Sequence, residues 1–376
     1  MESVFSKHMS TVKYCSMNWL RVLSFLFIIL YHFMIELEQT GSYVFSNKDV
    51  VNYYANSNLH IGIIVVSLFF MISGAGLMLS SRKAWDVKAF YKRRFTKLLI
   101  PYYIVELFAL IAAFSIKREW IYYFPDVSKA RIVFNILGMD GYFEQYFPTF
   151  CLHVGEWFLG ALIMLYALFP LFRFCIEKNR YLTISVATFY YLIMIFGDFS
   201  SISPWTNVFV KAYDFVLGMF LITEIPIMME NRAVKIAIQI IATIVIPFGI
   251  LYKPRVPIPV TIKNLLYAVV IFIFFFSMEA VWKKCRKIDR LIEQMCLISY
   301  EIFLVHHIVI YYIGDNIFEP MTGGIWQVIA LFITEIFIMT SLAYFIRSVA
   351  GWINTIIVQI GANASNARGC RTNHLV

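Results

Sequence analysis

The stretch at residues 18–36, NWLRVLSFLFIILYHFMIE, has the length and composition of a membrane-spanning helix, yet it carries an arginine and a histidine. Because an α-helix turns about 100° per residue, the separation of eleven residues brings Arg21 and His32 to nearly the same face. At about 1.5 Å per residue, the two side chains are roughly 16 Å apart along that face. Ionisable side chains are costly inside a membrane and commonly functional, so this pair predicts a site along the helix.

The composition of the whole chain is that of an integral membrane protein. Of its 376 residues, 60% are hydrophobic and 15% are charged, whereas soluble domains are about 25% charged. Apolar runs of about twenty residues, each sufficient to cross a hydrocarbon core of about 30 Å, recur along the chain. We therefore expect an all-α, polytopic membrane protein with about ten transmembrane helices. The predicted spans are residues 18–36, 59–80, 98–116, 151–172, 181–199, 206–224, 234–252, 261–281, 296–313 and 326–346.

The distribution of positive charge predicts the orientation of these helices. With the N-terminus inside, 22 of the 32 lysines and arginines fall in inner segments and 8 in outer loops, while Arg21 and Lys211 lie within spans. Such an inner excess places both termini in the cytoplasm and accounts for the net charge of +9 without a nucleic-acid partner. The predicted domains are a cytoplasmic lead at residues 1–16, a transmembrane domain at 17–346 and a cytoplasmic tail at 347–376.

A run of positive charge separates the second and third predicted spans. From residue 83 to 97 the sequence predicts a basic helix at the inner membrane surface. Arg93, Arg94 and Lys97 either anchor this helix through charge alone or bind the phosphates of an anionic ligand. Pro101 is expected in the first turn of the following span, where a proline costs little.

Small residues in the second span and two oppositely charged residues in the sixth span can be explained by contacts between or within helices. Ser73, Gly74 and Gly76 of the second span allow close approach of either a neighbouring helix or a ligand. Lys211 and Asp214 of the sixth span are three residues apart, which predicts a neutralising ion pair.

Polar residues in the fourth and ninth spans are further candidates for a site. His153, Glu156 and Trp157 lie at the outer end of the fourth span, as interface residues or as ligands of an acceptor molecule. In the ninth span, Ser299 and His306 are seven residues apart and share a face. His306 lies about midway through the bilayer, as His32 does, so the two histidines are candidates for one site. The adjacent His307 faces elsewhere and is expected only to pack.

Five motifs in this order resemble the acyltransferase-3 family of integral membrane proteins, over about residues 17–346. The motifs are the Arg and His of span 1 (Arg21, His32), FFxxSG (Phe69, Phe70, Ser73, Gly74), RRF…IPYY (Arg93, Arg94, Pro101, Tyr102), WFL…Y…P (Trp157, Phe158, Leu159, Tyr166, Pro170) and ISYxxFLxH (Ile298, Ser299, Tyr300, His306). Members of this family have about ten membrane helices. They move acyl groups, usually acetyl from cytoplasmic acetyl-CoA, onto surface or secreted carbohydrates.

The resemblance implies a role for each candidate residue, with acetyl-CoA as acyl donor and co-substrate and with no metal. His32 is expected to act as the general base toward an acceptor hydroxyl, with Ser299 and His306 lining the same cavity. A two-step route through an acyl-histidine is the alternative. The side chains expected to bind the phosphates of coenzyme A are Arg21, Arg93, Arg94 and Lys97. The side chains expected to contact the acceptor at the outer mouth are His153, Glu156 and Trp157.

The function implied by the resemblance is an O-acetyltransferase of a cell-envelope polysaccharide or exopolysaccharide in the plasma or inner membrane. Its expected partners are a carbohydrate or lipid-linked glycan acceptor, membrane lipids and other polysaccharide-biosynthesis proteins. A polytopic transporter or flippase for a glycan or lipid-linked sugar is the main alternative, because it also explains buried charges. A polysaccharide polymerase or ligase is disfavoured by the small outer loops.

Overall fold

The chain is predominantly helical. The computed structural model describes residues 14–39, 61–81, 85–117, 127–197, 202–252, 257–317 and 325–372, and within these ranges it contains helices, turns and short loops without a strand. A 3₁₀ turn at Lys129–Arg131 precedes α4. The α-helices in chain order are α1 Cys15–Gln39, α2 Ile61–Ser80, α3 Val87–Lys117, α4 Ile132–Leu137, α5 Asp140–Phe143, α6 Glu156–Phe196, α7 Val208–Glu230, α8 Arg232–Tyr252, α9 Val260–Ser277, α10 Glu279–Lys284, α11 Arg286–Ile317 and α12 Ile325–Thr372.

All ten predicted spans lie mainly within these helices. Seven helices in the described part of the chain are long and apolar enough to cross a membrane. These candidate spans are Cys15–Leu37, Ile61–Ser80, Glu156–Phe196, Arg232–Gly249, Val260–Ser277, Arg286–Tyr311 and Trp326–Ile360. The architecture is that of an all-α polytopic membrane protein. Ten crossings and cytoplasmic termini stay predictions, and the lead at residues 1–16 lies almost entirely outside the described residues.

Helix α6 contains two of the predicted spans. Its 41 residues would extend about 60 Å as one straight helix, twice the hydrocarbon thickness of about 30 Å. The helix breaks at Asn179, whose backbone is extended with φ −159° and ψ 94°. The Asn179 side chain accepts a hydrogen bond from the Leu182 amide at 3.0 Å, as a helix N-cap does, so a second helix starts there. The break lies in the predicted loop at residues 173–180 and therefore supports two spans.

The basic segment does not form a separate surface helix. Helix α3 runs unbroken from Val87 to Lys117, so the basic residues and the third predicted span belong to one helix. Pro101 consequently lies inside this helix and not in its first turn, which corrects the sequence-based expectation. The residues between Val87 and Pro101 include no glycine or proline, so nothing in them ends the helix earlier. Lys83, at the start of the predicted basic helix, lies outside the described residues.

The chain divides into two compact units, and three helices pass from one unit into the other. Among the described residues, those of unit 1 fall within Met1–Ile35, Phe45–Lys83 and Leu171–Ser299, and those of unit 2 fall within Glu36–Val44, Ala84–Pro170 and Tyr300–Val376. The shared helices are α1, α6 and α11.

Within unit 1, α2 and α7 pack at close range through two glycines. A Cβ atom at Gly74 of α2 would overlap the carbonyl oxygen of Phe215 in α7, and one at Gly218 of α7 would overlap the backbone of Met71. Small residues let membrane helices approach closely in this way. The packing interpretation of Gly74 is thereby confirmed.

Lys211 and Asp214 of α7 form a fully buried ion pair in unit 1. Each side chain is 1% exposed, and the Lys211 Nζ lies 2.9 Å from Oδ2 of Asp214. The same Nζ donates to the Ser67 hydroxyl of α2 at 3.1 Å. The neutralising pair predicted from the spacing is therefore confirmed.

The N-terminus of α1 is held by a distant carboxylate of unit 1. Glu279 accepts hydrogen bonds from the amides of Cys15 and Ser16 at 3.0 and 2.8 Å, and from the Ser16 hydroxyl at 2.6 Å. An acidic group there satisfies free N–H groups and complements the helix dipole. The indole of Trp19 also donates to Asp289 at 3.0 Å. These contacts fix the start of α1 and hence the direction of its polar face.

Candidate functional site

Arg21 lies on α1 in unit 1, half-buried against residues of two other helices. Its Nη1 donates to the Cys296 sulfur of α11 at 3.4 Å, and the Cys296 thiol donates to the side-chain oxygen of Asn18 at 3.4 Å. Its Nη2 would lie 3.8 Å from a Cβ at Gly76 of α2. No carboxylate among the described residues forms an ion pair with Arg21, whose guanidinium instead contacts the Cys296 sulfur.

His32 lies on the same helix, which is unbroken from Cys15 to Gln39. The predicted common face of Arg21 and His32 therefore exists, and both side chains are half-buried. Ser299 of α11 also belongs to unit 1. Its hydroxyl donates to the Cys296 carbonyl at 2.9 Å, so its oxygen can still accept a hydrogen bond.

His306 lies on the part of α11 that belongs to unit 2, and it is 1% exposed. Its Nδ1 is 2.6 Å from the carbonyl oxygen of Phe303. Since a carbonyl only accepts, Nδ1 carries the proton, and Nε2 is then the basic nitrogen of the neutral ring. A shared site of His306 and His32 stays a prediction.

The basic residues predicted to bind phosphates lie on α3 in unit 2. Arg93 and Lys97, one turn apart, are exposed on one face, whereas Arg94 is half-buried. The Tyr300 hydroxyl of α11 donates to the carbonyl of Leu98 at 2.8 Å, so α11 is fixed to α3 beside this basic turn. The contact links the basic motif to the motif of the ninth predicted span. Phosphate binding by the three cations stays a prediction.

A carboxylate of unit 2 bridges two histidines, one of which was expected only to pack. The Oε1 of Glu156 lies 3.4 Å from Nδ1 of His153 and 3.2 Å from Nδ1 of His307. The ring of Tyr311 stacks on His307 at 5.3 Å between centroids and meets His153 edge-on at 5.5 Å. The prediction for His307 is therefore wrong, because its position one residue after His306 turns it toward α6. The sequence signal was the tandem His306–His307 pair, but spacing along the chain could not show that Glu156 lies beside His307.

The three residues predicted to contact the acceptor lie in unit 2 at the start of α6. The side chain of His153 is 60% exposed and that of Glu156 is 24% exposed. The hydrogen bond with Glu156 raises the pKa of His153 above its ordinary value, which favours the imidazolium. Trp157 follows directly, half-buried, with its ring edge-on to Phe158 at 6.1 Å. These side chains offer an aromatic surface beside hydrogen-bond donors and acceptors.

The backbone that presents this trio is strained. His153 and Glu156 have φ values of 60° and 41°, and Gly155 between them has φ 71°. Positive φ values are uncommon for residues other than glycine and cluster at functional sites. Because α6 begins at Glu156, His153 lies just before the helix, whereas the predicted fourth span began at residue 151 and included it. Glycine is needed opposite this turn, since a Cβ at Gly141 of α5 would lie 2.5 Å from the Glu156 backbone.

A second group of buried polar side chains in unit 2 joins α3 to the short helices α4 and α5. The Tyr102 hydroxyl donates to Oδ1 of Asp140 at 3.0 Å, and the Asn135 amide donates to Oε1 of Glu106 at 3.2 Å. Burial raises the pKa of Asp140 to about 6. Burial also raises the pKa of the Cys151 thiol, which lies at the same carboxyl group. Periodicity could not connect these residues, because Tyr102 and Asp140 are 38 positions apart.

Comparison with known proteins identifies the family. The acyltransferase-3 family model, described as an acyltransferase domain, matches residues 15–347. No curated protein and no solved structure matches the chain. The matched region includes Arg21, His32 and every other candidate site residue named above. With its five motifs in order inside that region, the chain belongs to the acyltransferase-3 family of membrane acyltransferases.

Proposed function

We propose that this protein is an O-acetyltransferase that moves an acetyl group from cytoplasmic acetyl-CoA to a hydroxyl of a cell-envelope or exported polysaccharide. Family membership supports a membrane acyltransferase over the transporter or flippase alternative. The observation that carries the finer proposal is Arg21, which forms no ion pair with any carboxylate of the described residues and lies on the same helix face as His32.

Arg21 has the properties expected of a binding group for an anion. A half-buried guanidinium among apolar helices needs a counter-charge, and the neighbouring Cys296 thiol does not supply one. The phosphates of coenzyme A would supply it, because guanidinium groups match phosphate oxygens with two parallel hydrogen bonds. Arg93, Arg94 and Lys97 would add positive charge for the same ligand.

His32 is proposed as the general base of the transfer. Its imidazole takes the proton of the acceptor hydroxyl while the hydroxyl oxygen bonds to the thioester carbonyl carbon. The carbon–sulfur bond then breaks, and the coenzyme A thiolate leaves and takes up a proton. Ser299 and His306 orient the acceptor or His32 in this scheme.

The acceptor is proposed to bind at the trio His153, Glu156 and Trp157. The Glu156 carboxylate can accept hydrogen bonds from sugar hydroxyls, the His153 imidazole can donate to them, and the Trp157 indole can pack against the sugar ring. The acceptor is a carbohydrate or lipid-linked glycan, and the protein acts in the plasma or inner membrane. There it is surrounded by lipids and works with proteins of polysaccharide biosynthesis.

Replacement of the proposed base tests this function. Cells that carry the wild type or His32→Gln are compared by mass spectrometry of their surface glycans, and their membranes by acetyl-CoA consumption in the presence of those glycans. We expect His32→Gln to lower transfer by about 10²–10⁴-fold at an unchanged protein level. Phe27→Ala is the matched control, because Phe27 lies on the same helix and is 52% exposed. Full transfer by His32→Gln would remove His32 as the base, and acetyl-free glycans in wild-type cells would contradict the proposed function.

A further inference from the structure

Two buried carboxyl groups of unit 2, Glu106 of α3 and Asp140 of α5, have no positively charged side chain of the described residues paired with them. Glu106 is 9% exposed and Asp140 is 1% exposed. Within the described residues neither forms an ion pair, and their side-chain hydrogen bonds come from neutral groups, the Tyr102 hydroxyl, the Asn135 amide and the Cys151 thiol. Because a buried carboxylate without a paired charge costs several kcal/mol, the cluster must be neutralised by protons or by a bound cation.

Three oxygens of the cluster receive no hydrogen bond from any described residue. They are Oε2 of Glu106, Oδ2 of Asp140 and Oδ1 of Asn135. The orientation of the Asn135 amide is fixed, since its nitrogen donates to Glu106 and also to the carbonyl of Phe150 at 2.9 Å. Turning the amide over would place its oxygen against two other oxygens. The amide oxygen is therefore available as a ligand.

We infer that Glu106, Asn135 and Asp140 bind a divalent cation of the calcium and magnesium class. Two carboxylates carry two negative charges, which one divalent cation neutralises. A single proton shared by the two carboxyl groups would leave the Asn135 oxygen without a hydrogen-bond donor. A bound cation could instead be coordinated by all three oxygens. Carboxylate and amide oxygens are hard ligands, and calcium and magnesium ions bind such oxygens in preference to softer ligands.

Glu106, Asn135 and Asp140 lie on three adjoining segments of unit 2, which the Asn135–Glu106 and Tyr102–Asp140 hydrogen bonds join. Tyr102 and Glu106 are one turn apart on α3, and the chain reverses at Gly138, with φ 65°, between Asn135 and Asp140. The cation would thus tie α3 to α4 and α5. Helix α5 in turn packs through Gly141 against the strained turn at Glu156, so an occupied site would brace that turn.

Cation-dependent stability of the purified full-length protein tests the inference. After treatment with EDTA, the thermal midpoint in detergent is followed as CaCl₂ or MgCl₂ is added. We expect a saturable rise for the wild type, and a half-saturating concentration at least about tenfold higher for Glu106→Gln and for Asp140→Asn. Asp86→Asn is the control, because Asp86 is exposed and caps the Lys88 amide at 2.9 Å, which asparagine also does.

Terbium provides a second measurement that does not depend on the stability of the carboxyl variants. Tb³⁺ bound at the site should emit when tyrosine is excited, since the Tyr102 hydroxyl lies 3.0 Å from Asp140. Ca²⁺ should quench this emission by displacement, and Tyr102→Phe, which keeps all three ligands, should lower it.

Three results would overturn the inference. The first is an unchanged cation response in both carboxyl variants. The second is a wild type that responds to neither ion while Glu106→Gln and Asp140→Asn are more stable than it, since a proton then neutralises the cluster. The third is a response to Zn²⁺ alone, which would indicate softer ligands such as Cys151.

Discussion

Two cations of unit 1 lie among apolar helices, and their surroundings differ. Lys211 is 1% exposed and is neutralised by Asp214 at 2.9 Å, with Ser67 as a further partner. Arg21 is half-buried, and its guanidinium contacts the neutral thiol of Cys296 without a carboxylate partner in the described part of the chain. The first arrangement is complete within the protein, whereas the second still requires an anion.

The difference separates a structural charge from one available to a ligand. A buried pair is costly to break, because the remaining charge stays in a medium of low dielectric constant. A cation without a protein counter-charge can instead gain its partner from a ligand, so its removal should reduce binding more than stability. The four predictions below test this distinction.

The largest expected effect follows from breaking the Lys211–Asp214 pair. Asp214→Asn leaves the Lys211 ammonium buried without a counter-charge, and we expect a loss of about 3–5 kcal/mol in the free energy of unfolding. Chemical or thermal unfolding in detergent measures this loss. The double variant Lys211→Met with Asp214→Leu removes both charges and should recover most of it. A loss below 1 kcal/mol for Asp214→Asn would show that the ammonium has another partner.

Removal of the Arg21 charge should reduce acetyl-CoA binding more than it reduces the stability of the protein, in contrast to the loss of the Lys211–Asp214 pair. We expect Arg21→Gln to raise the acetyl-CoA concentration for half-maximal transfer by about 10–100-fold, since a hydrogen bond to a charged group contributes about 1.5–3 kcal/mol. The thermal midpoint should change little. Arg232→Gln is the control, because Arg232 is exposed at the start of α8. An unchanged acetyl-CoA requirement together with a lower thermal midpoint would make Arg21 structural, as Lys211 is.

Two glycines extend the comparison to helix packing around each cation. Alanine at Gly218 would overlap the Met71 backbone, so the helices beside Lys211 must shift, and we expect a loss of about 1–3 kcal/mol. Alanine at Gly76, near Arg21, meets first the flexible end of Met17 at 3.1 Å. Since alanine also favours a helix by about 0.5–1 kcal/mol over glycine, we expect Gly76→Ala to be nearly neutral. Equal unfolding midpoints for the two variants would contradict this ranking.

Features that depend on local spacing could be predicted from the sequence. The ten predicted spans fall on helices, the common face of Arg21 and His32 follows from the unbroken α1, and the Lys211–Asp214 pair follows from i, i+3 geometry. These features require only the helical period and the cost of a buried charge.

Features that depend on contacts between distant segments could not be predicted. The pairing of His307 with Glu156 joins positions on α11 and α6, and the Asp140–Tyr102 bond joins a loop helix to α3. No periodic pattern relates such positions. The continuation of α3 through Pro101 was also missed, because a proline gives a helix-start signal that neighbouring helices can override.

The smallest expected effect concerns an exposed ion pair, which completes the comparison with the two embedded cations. Glu156 raises the pKa of His153, so the folded state holds the imidazolium more tightly than the unfolded chain does. The resulting stability is fully present below the ordinary histidine pKa and is lost as the pH rises through the raised value of the folded state. Because the His153 side chain is 60% exposed, the gain should be below about 1 kcal/mol.

Thermal midpoints of wild type and His153→Asn between pH 6 and pH 9 measure this contribution. We expect the wild type to be slightly the more stable of the two at pH 6 and to lose that advantage toward pH 9, with a smaller difference at high salt because exposed charges are screened. This pair should contribute less than the Lys211–Asp214 pair, because water can solvate His153 and Glu156 when they separate. A pH-independent difference between the two proteins would assign the effect to packing against Tyr311 and not to the charge.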